Sequence, residues 1–291
     1  MEVFIIGSSC AIPTAERNLP AVAIRYLGKI YLFDCGEGTQ REMLKNGLNI
    51  AKIRAIFISH MHADHFIGVG GLIRTLALTQ SSGGIKIFTP EPNMISNFLS
   101  FAQANFNVEI KRIKSGLIFE DKDFEIYAFK LKHVIPTYGF VFKEKDKIKF
   151  DKQKIKKFGL KGEMFKELLN KKRIKIGEKE IKLSEVSYIK NGKKVAYVPD
   201  TAFSKEIVKF VKNSDLIIHE ATYSKNEEKL AKERKHSTAE QAAKIAKMAK
   251  AKKLLLFHIS NRYKQPEILE KEARKIFKNS FLAYDGLKIE V

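Results

Sequence analysis

Short apolar runs rich in β-branched residues recur along the chain and constrain its fold more than any other sequence feature. Such runs, bounded by polar or turn-forming residues, are typical of buried β-strands. The predicted strands are residues 2–6, 29–33, 53–59, 84–88, 123–131, 138–142, 193–198, 215–219 and 252–257.

Segments with helical patterns lie between many of these strands. The predicted helices are residues 37–46, 65–79, 91–105, 204–213 and 237–251. The last helix begins at Ser237 or Thr238, and Glu240 follows at the spacing of a capping box. Many strands with interspersed helices favour a layered α/β domain over a helical bundle or an all-β barrel. A chain of 291 residues fits one large domain, or a domain with an appendage.

The segment Ser59–His65, SHMHADH, contains three of the seven histidines in the chain. In an extended backbone alternate side chains project from the same side, so His60, His62 and Asp64 would face one way with His65 beside them. Imidazoles and a carboxylate at this density suit zinc or a similar borderline metal. Coincidental surface histidines are a poor alternative, because the segment directly follows a predicted buried strand.

Other predicted strands also end in titratable residues, namely His133, Asp200, the pair His219 and Glu220, and His258. In layered α/β folds, functional sites commonly lie at the carboxyl ends of strands, so we expect these residues to lie close together. The candidate metal ligands are His60, His62, Asp64, His65, His133, Asp200 and His258. This set is too large for one tetrahedral ion and suits a pair of ions roughly 3.5–4 Å apart, which can act together on a phosphoryl group. Asp200 is the natural bridging ligand, because one carboxylate offers two oxygens.

The charge balance indicates a polyanionic partner. Lysine and arginine number 54 against 33 acidic residues, which gives a formal net charge of +21. A charged thermophilic surface would need both signs in similar numbers. Nucleic acid or another large anion is therefore the expected partner.

Residues 143–182 carry much of this excess, with 16 basic and 7 acidic residues. Their sparse apolar residues suffice for a small amphipathic subdomain but not for a self-sufficient core. The segment is either a solvated surface insertion or a basic arm that grips phosphates.

The expected location in the cell follows from the signal-peptide, membrane-span and cysteine content of the sequence. The N-terminus has no signal-peptide pattern, and no apolar run approaches the roughly 18 residues of a membrane span. Cys10 and Cys35 are too few for a disulfide framework and are expected to be reduced. We therefore expect a cytoplasmic protein without membrane association.

The His-x-His-x-Asp-His motif at His60–His65 resembles the signature of the metallo-β-lactamase superfamily. Further stretches are similar to its ribonuclease Z branch, which trims the 3′ trailer from precursor tRNA. These are PTAERN (13–18), FDCGEGTQ (33–40), HEAT (219–222), HST (236–238) and HISNRY (258–263). The resemblance covers nearly the whole chain. It implies a four-layered αββα sandwich over residues 1–291, with segment 143–182 inserted as a tRNA-binding arm.

The resemblance also implies the role of each site residue. One zinc ion would take His60, His62 and His133, the other Asp64, His65 and His258, and Asp200 would bridge them. Asp64 would hold or deprotonate the attacking water, and Glu220 would orient His236, which protonates the departing 3′ oxygen. The products would be a tRNA with a free 3′-hydroxyl and a trailer with a 5′-phosphate. Asp34 would support the metal loop by hydrogen bonding without being a ligand.

Substrate contacts and assembly are likewise implied by the resemblance. Arg17 and Asn18 would contact RNA near the site, and the arm in a homodimer would serve the partner subunit's active site. The candidate arm contacts are Lys156, Lys157, Lys161, Lys171, Lys172 and Arg173. The chain departs from the family pattern at Ala15, where Lys is usual, at Phe140, where Tyr is usual, and at Glu163, where a Gly-Pro turn is expected.

Two other functional classes compete with a tRNA 3′-processing endonuclease. A hydrolase of small phosphodiesters, thioesters or sulfate esters would share the metal ligands but would gain nothing from a basic arm. A nucleic-acid-binding protein with a structural metal site would not need this many ligands, because structural zinc sites are closed and mononuclear. The ligand types accept zinc, manganese or iron, so the physiological metal stays open. The cleavage position and the handling of CCA-bearing trailers stay open as well.

Overall fold

The protein is described by a computed structural model that covers residues 1–79 and 84–291. It divides into two compact units, of which the larger comprises residues 1–143 and 193–291 and the smaller residues 144–192. Up to residue 144 the strands are β1 Glu2–Gly7, β2 Ser9–Cys10, β3 Ala21–Tyr26, β4 Lys29–Phe33, β5 Ile53–Phe57, β6 Ile85–Thr89, β7 Val108–Arg112, β8 Gly116–Glu120, β9 Phe124–Leu131 and β10 Thr137–Glu144. The helices are α1 Thr39–Lys45, α2 Ala63–Phe66, α3 Gly68–Leu78 and α4 Pro92–Leu99, with 3₁₀ turns at Ile50–Lys52 and Ser100–Ala102.

The smaller unit is built from short elements, and the larger unit resumes after it. The smaller unit contains β11 Lys147–Phe150, α5 Lys152–Phe158, α6 Met164–Lys171, β12 Arg173–Ile176, β13 Lys179–Lys182, α7 Leu183–Val186 and β14 Ser187–Lys190. The larger unit continues with β15 Lys194–Val198, α8 Ile207–Val211, β16 Leu216–Glu220, a 3₁₀ turn at Lys225–Glu227, α9 Glu228–Glu233, α10 Ala239–Met248, β17 Leu254–Phe257, β18 Ile259–Ser260, α11 Glu267–Arg274, β19 Ser280–Leu282 and β20 Lys288–Glu290.

The larger unit is a four-layered αββα sandwich, as the family resemblance implied. Its two sheets run in the orders β20-β1-β3-β4-β5-β6-β7 and β19-β17-β16-β15-β10-β9-β8. Their inner faces share one apolar core, in which Phe33 and Phe57 stack with ring centroids 5.1 Å apart and Phe140 of the other sheet lies against both. The outer face of the first sheet packs against α1, α3 and α4, and that of the second against α8, α10 and α11. None of the helices in the described part of the chain is long and apolar enough to cross a membrane.

Parallel strands bring the ends of several elements together. Strands β4, β5, β6 and β7 pair in parallel, as do β15, β16, β17 and β19. The residues after β4 and β5 in one sheet, and after β15, β16 and β17 in the other, therefore lie at matching edges of the sandwich.

Several predictions of local structure are wrong or incomplete. The predicted helix 65–79 is interrupted at Ile67, which separates α2 from α3. A Cβ at Gly68 would lie 2.0 Å from the carbonyl oxygen of Gly36, so glycine permits a close approach of α3 to the loop after β4. The capping box of α10 joins Thr238 to Gln241, not to Glu240. Helices predicted at 91–105 and 204–213 are shorter, at Pro92–Leu99 and Ile207–Val211.

The smaller unit extends ten residues beyond the predicted arm boundary, to Gly192. Strand β14 pairs with β11, and β12 pairs with β13. The sequence indicated too few apolar residues for a self-sufficient core within the arm, but the unit has a small apolar core of its own, formed by Leu160, Leu168, Ile174, Ile181, Leu183 and Val186. Since β14 supplies half of one two-stranded sheet, residues 183–192 are part of the same folded unit.

Candidate metal centre

The His-rich segment enters the site through a bend and a short helix. His62 has an extended backbone and occupies the N-cap position of α2, which places Asp64 and His65 in the first helical turn. The expectation of a continuous extended segment from His60 to Asp64 is therefore wrong. The segment contributes to two groups of ligand atoms, His60 and His62 to one and Asp64 and His65 to the other, and the ring centroids of His60 and His65 lie 4.1 Å apart.

The first group consists of His60, His62, His133 and Asp200, whose ligand atoms all lie within 4.8 Å of one another. His60 Nε2 is 3.0 Å from His62 Nδ1, which is 3.4 Å from His133 Nε2. His62 thus presents Nδ1, whereas the other two histidines present Nε2. Strand β9 places His133 here, because it ends two residues earlier.

The second group consists of Asp64, His65 and His258, whose ligand atoms also lie within 4.8 Å of one another. The Nε2 atoms of His65 and His258 are 3.3 Å apart, and Asp64 Oδ2 lies 3.5 Å from the former and 3.6 Å from the latter. His258 follows directly after β17 and has a left-handed backbone, with φ 58°.

Asp200 lies between the two groups. Its Oδ2 is 3.7 Å from His60 Nε2 and 3.8 Å from His133 Nε2, whereas its Oδ1 is 3.5 Å from His65 Nε2 and 3.2 Å from His258 Nε2. Oδ1 is buried and accepts no hydrogen bond from the described residues. A buried carboxylate oxygen without a donor is costly unless a cation faces it, so this atom fits a metal ligand. The donor set as a whole suits two divalent ions that share Asp200.

Hydrogen bonds to the far nitrogen of each ring orient the imidazoles. His60 Nδ1 is 2.9 Å from Ser59 Oγ, His65 Nδ1 is 2.7 Å from Asp34 Oδ2, and His133 Nδ1 is 3.0 Å from the carbonyl oxygen of Lys235. Such contacts fix the tautomer that leaves Nε2 free to bind a metal. The roles of Ser59 and Lys235 were not predicted from the sequence, and the Lys235 contact is made by a backbone carbonyl, which does not depend on residue type.

Asp34, directly after β4, connects its own loop to the loop after β5 through several hydrogen bonds. We call these contacts the Asp34 hub. Its carboxylate accepts hydrogen bonds from the Ser59 amide at 2.7 Å, the Ser59 hydroxyl at 2.9 Å and the Tyr197 hydroxyl at 2.8 Å. It also contacts His65 Nδ1 and is not among the ligand groups. The geometry fits the supporting role expected of Asp34. Tyr197, which sequence analysis did not select, joins the hub from β15.

Burial and the negative charge of Asp200 determine whether the histidines of the centre are protonated. Burial holds the pKa of His60 well below its ordinary value, so its imidazole is neutral and able to bind a metal. Burial also opposes protonation of His258, but the negative charge of Asp200 raises the pKa of His258 well above the ordinary value. The same negative charge would attract metal cations.

The partly exposed His236 pairs with the buried Glu220, and a ring nitrogen of His236 also lies within 4.8 Å of ligand atoms of Asp200 and His258. His236 Nδ1 is 3.0 Å from Glu220 Oε1 and 3.9 Å from Asp200 Oδ2. Burial lowers the pKa of His236, but the charge of Glu220 and the hydrogen bond to it outweigh this effect and raise the pKa above its ordinary value. The pair therefore favours an imidazolium whose Nε2 points away from Glu220. This arrangement can supply a proton to a reacting atom.

Thr222 connects this pair to the metal ligands. Its hydroxyl is 2.8 Å from Glu220 Oε2 and 3.0 Å from His258 Nδ1, so it can donate to the carboxylate and accept from the ring. Thr222 belongs to the HEAT motif, but its role was not predicted from the sequence. His219, the first residue of that motif, donates from Nδ1 to the Glu220 carbonyl, and its Nε2 is buried without a partner among the described residues. Only Glu220 of the adjacent pair reaches His236.

The predicted RNA contacts lie outside the ligand groups. Arg17 Nη1 donates to Ser8 Oγ and to the Ala283 carbonyl, both at 2.6 Å. The Asn18 side chain lies against Gly38, where an added Cβ would be 2.6 Å from Asn18 Oδ1. In the smaller unit the six predicted arm contacts are exposed at the end of α5, in the following loop, and from the end of α6 to the start of β12: Lys156, Lys157, Lys161, Lys171, Lys172 and Arg173.

Sequence comparisons relate the chain to proteins named ribonuclease Z. It is 43% identical to ribonuclease Z of Pyrococcus furiosus over 274 residues, which cover 92% of this chain and 89% of the relative. It is 41% identical to ribonuclease Z of Thermococcus sibiricus over 290 residues, which cover 97% of this chain and 93% of the relative. Sequence models of two families also match, "Beta-lactamase superfamily domain" over residues 151–259 and "Anti-Pycsar protein Apyc1" over residues 1–175.

Structural comparison adds a solved relative from human. The short form of human tRNase Z superposes with a TM-score of 0.72 at 28% identity, covering 100% of this chain and 99% of the human one. The Bacillus subtilis metallo-β-lactamase fold protein YhfI gives a TM-score of 0.73 at 20% identity, covering 100% of this chain and 99% of YhfI, and shows the fold alone. The Apyc1 match ends before Asp200, Glu220, His236 and His258. The Pyrococcus and Thermococcus relatives align over most of the chain.

Proposed function

Because the chain belongs to the ribonuclease Z family, we propose that it cuts the 3′ trailer from precursor tRNA at its two adjoining ligand groups. Membership of this family makes it a metal-dependent endoribonuclease of tRNA 3′ processing. The proposed products are a tRNA with a free 3′-hydroxyl and a trailer with a 5′-phosphate. A precursor tRNA substrate also favours a cytoplasmic location.

The observation that carries this proposal is the position of Asp200. Its two oxygens face separate ligand groups, and the His236–Glu220 pair lies on the same side of the sandwich, with His236 Nδ1 3.9 Å from Asp200 Oδ2. A phosphodiester needs both charge neutralisation at phosphorus and a proton for its leaving oxygen. The two ligand groups support the first requirement and the adjacent His236–Glu220 pair supports the second.

We propose two zinc ions as the cofactors, with manganese or iron(II) as alternatives. His60, His62 and His133 would hold one ion, Asp64, His65 and His258 the other, and Asp200 both. When bound, such ions acidify water and neutralise the charge that builds up on phosphoryl oxygens. The imidazole-rich ligand set favours zinc over magnesium or calcium, which prefer all-oxygen sites.

The residues of the chain would move protons at both ends of the reaction. Asp64 would orient the attacking water or take a proton from it through its carboxylate. Burial raises the pKa of Asp64, but the histidines around it outweigh this effect and hold the pKa far below its ordinary value, so the carboxylate is ionised. His236 would give the proton on Nε2 to the departing 3′ oxygen, while Glu220 stabilises the imidazolium.

The smaller unit is the proposed tRNA-binding arm. Residues 144–192 hold 16 basic and 8 acidic residues, and the predicted phosphate contacts are exposed. Within this unit a groove of about 670 Å³ is lined by Lys171, Lys172, Arg173 and Lys182 together with the exposed ring of Tyr188. Cationic side chains beside an aromatic face suit an RNA backbone with accessible bases.

We further propose that the chain acts as a homodimer. Large apolar side chains are exposed on neighbouring elements of the larger unit, with Leu44 on α1, Leu78 on α3, Met94 on α4 and Phe101 just after it. Exposed apolar groups on adjacent elements are typical of protein interfaces. Sedimentation should give twice the monomer mass, and Leu44→Glu with Phe101→Glu should give a monomer. A wild-type protein that sediments as a monomer would contradict this proposal.

The function is tested by incubating the purified protein with a labelled precursor tRNA, with and without a chelator, and mapping the 3′ end of the tRNA product. We expect one cut at the trailer junction that the chelator abolishes and zinc restores. A small phosphodiester serves as the competing substrate. Turnover of the small diester without any cleavage of precursor tRNA would instead support the alternative hydrolase function.

A further inference from the structure

The Ser8–Asn18 loop contacts the second ligand group at two points. The Ala11 amide donates to Asp64 Oδ2 at 3.0 Å, and this is the oxygen that faces His65 and His258. The Ser8 carbonyl accepts a hydrogen bond from the Ile259 amide at 2.9 Å, one residue after His258. The loop thus contacts Asp64 directly and holds the backbone that carries His258.

The backbone of this loop is strained at the contact with Asp64. Ala11 has φ 57°, a left-handed conformation that a residue with a Cβ rarely adopts. Such a conformation persists only where surrounding contacts enforce it. Contacts that fix the ends of the loop therefore help to hold the Ala11 amide on Asp64.

Arg17 and Asp285 bind both ends. Asp285 Oδ1 accepts from the Ser8 hydroxyl at 2.7 Å, and Asp285 Oδ2 accepts from the Asn18 amide. Arg17 Nη1 donates to Ser8 Oγ and to the Ala283 carbonyl, both at 2.6 Å. The C-terminal segment that carries Ala283 and Asp285 is thereby tied to the first and last residues of the loop.

We infer that Arg17 and Asp285 are positioning residues that hold the Ser8–Asn18 loop, and through Ala11 the Asp64 carboxylate, in place for the metal ion of the second group. This inference rests on the proposed two-metal centre. It gives Arg17 a role different from the RNA contact that the sequence resemblance implied. Asp285 was not selected from the sequence at all. Groups that contact a metal ligand directly, as the Ala11 amide does, typically change metal affinity by roughly 10- to 100-fold.

The test is a zinc titration of the metal-free protein by calorimetry with chelator competition. Wild type should show two binding steps. In Asp285→Asn and Arg17→Ala one of the two affinities should fall roughly tenfold or more, while the other step stays unchanged. Arg25→Ala is the matched control, because Arg25 makes a two-point ion pair with Glu2 at 2.6 and 2.9 Å and has no contact with the loop. The control should bind both ions as wild type does.

Kinetics separate this role from direct RNA binding. At limiting zinc both variants should lose kcat for precursor tRNA, recover it with excess zinc, and keep the wild-type KM. A raised KM with unaltered zinc binding would assign Arg17 to RNA and overturn the inference. So would unchanged zinc affinities in both variants.

Two further measurements keep the outcome interpretable. Thermal unfolding of the metal-free variants checks that they fold, and Ser8→Ala, which removes only the shared hydroxyl, replaces any variant that does not. Ser8→Ala should weaken the same binding step, and a wild-type titration from a folded Ser8→Ala would contradict the inference. If the wild type binds two ions but leaves precursor tRNA intact, the proposed function fails. The zinc titration would still show whether Arg17 and Asp285 position the Ser8–Asn18 loop.

Discussion

Replacement of Glu220 by Gln should disable proton donation to the leaving group without removing any metal ligand. Glu220 is fully buried, and its Oε1 lies 3.0 Å from His236 Nδ1. The amide oxygen of Gln can still accept the hydrogen bond from His236, so the change removes mainly the negative charge. His236 is therefore expected to stay in place and to lose its tendency to be protonated.

The size of the effect follows from this geometry. An opposite charge at such a distance typically shifts a pKa by about 1–3 units, each worth about 1.4 kcal/mol. His236 must be protonated to act, so the rate falls as the pH rises through its pKa. In Glu220→Gln this fall should move about 1–3 pH units lower, and kcat at pH 8 should drop about 10- to 1000-fold.

The variant also carries a cost in stability that must be measured separately. Glu220 accepts hydrogen bonds from the amides of Thr201, Thr222 and Ser237, so the NH₂ group of Gln must face at least one donor. A buried donor left without an acceptor costs about 1–3 kcal/mol. Urea unfolding of the metal-free variant should show a loss of this size, and activity is compared where both proteins are folded.

The decisive assay uses a precursor tRNA in which sulfur replaces the bridging 3′ oxygen at the cleavage site. A thiol has a pKa of about 8.5, so a thiolate can leave without a proton. Glu220→Gln and His236→Ala should both be strongly impaired on the oxygen substrate and close to wild type on the sulfur substrate. An equal loss on the two substrates would refute the assignment of His236 as the acid.

Four further predictions test other parts of the site and fold. Asp64→Ala should lower cleavage by at least about 100-fold while precursor tRNA binding in a filter assay survives, and an equal loss of both would contradict its role. Replacing residues 144–192 by a short turn is feasible because Lys143 and Lys194 are paired across β10 and β15. The deletion should weaken precursor tRNA binding and flatten the dependence of log K on log salt, and an unchanged slope would count against the arm. Asp34→Ala leaves the Ser59 amide, two hydroxyls and one imidazole without their acceptor, so urea unfolding should show a loss of about 3 kcal/mol or more; a loss under about 1 kcal/mol would argue against the hub. Burial raises the pKa of Cys35 to about 12, so a thiol reagent should modify the partly exposed Cys10 in the native protein and Cys35 only after unfolding, and equal rates for both would be unexpected.

Strands and helices with strong local patterns could be predicted from the sequence. The strand at 29–33 has the predicted bounds, and the runs around residues 56, 127 and 217 all form strands. Strands β19 and β20 were missed because three residues are too few for a periodic pattern. Strands β11, β12 and β13 were missed because their alternating lysines resemble a solvated segment. The break at Ile67 was missed because the close approach of Gly68 to Gly36 depends on a contact distant in sequence.

The contacts around Arg17 show a different limit of sequence reasoning. An arginine in a motif that resembles an RNA-processing family suggests an RNA contact. In the fold its guanidinium is bound to Ser8 and to the Ala283 carbonyl, 266 residues away. Nothing in the local sequence indicates that the C-terminal segment passes beside this loop.

Residue chemistry and strand periodicity are local properties, so the types of metal ligand and their places along the chain could be read without a structure. These local properties predicted a layered α/β domain and a set of donors suited to metal ions, and the family resemblance implied the four-layered sandwich. Which of these donors lie together in one site depends on the three-dimensional fold. His65 and His258 are 193 residues apart, yet their Nε2 atoms lie 3.3 Å from each other. Their proximity, and the position of Asp200 between two ligand groups, depend on the packing of two sheets across a common core, which no local pattern encodes.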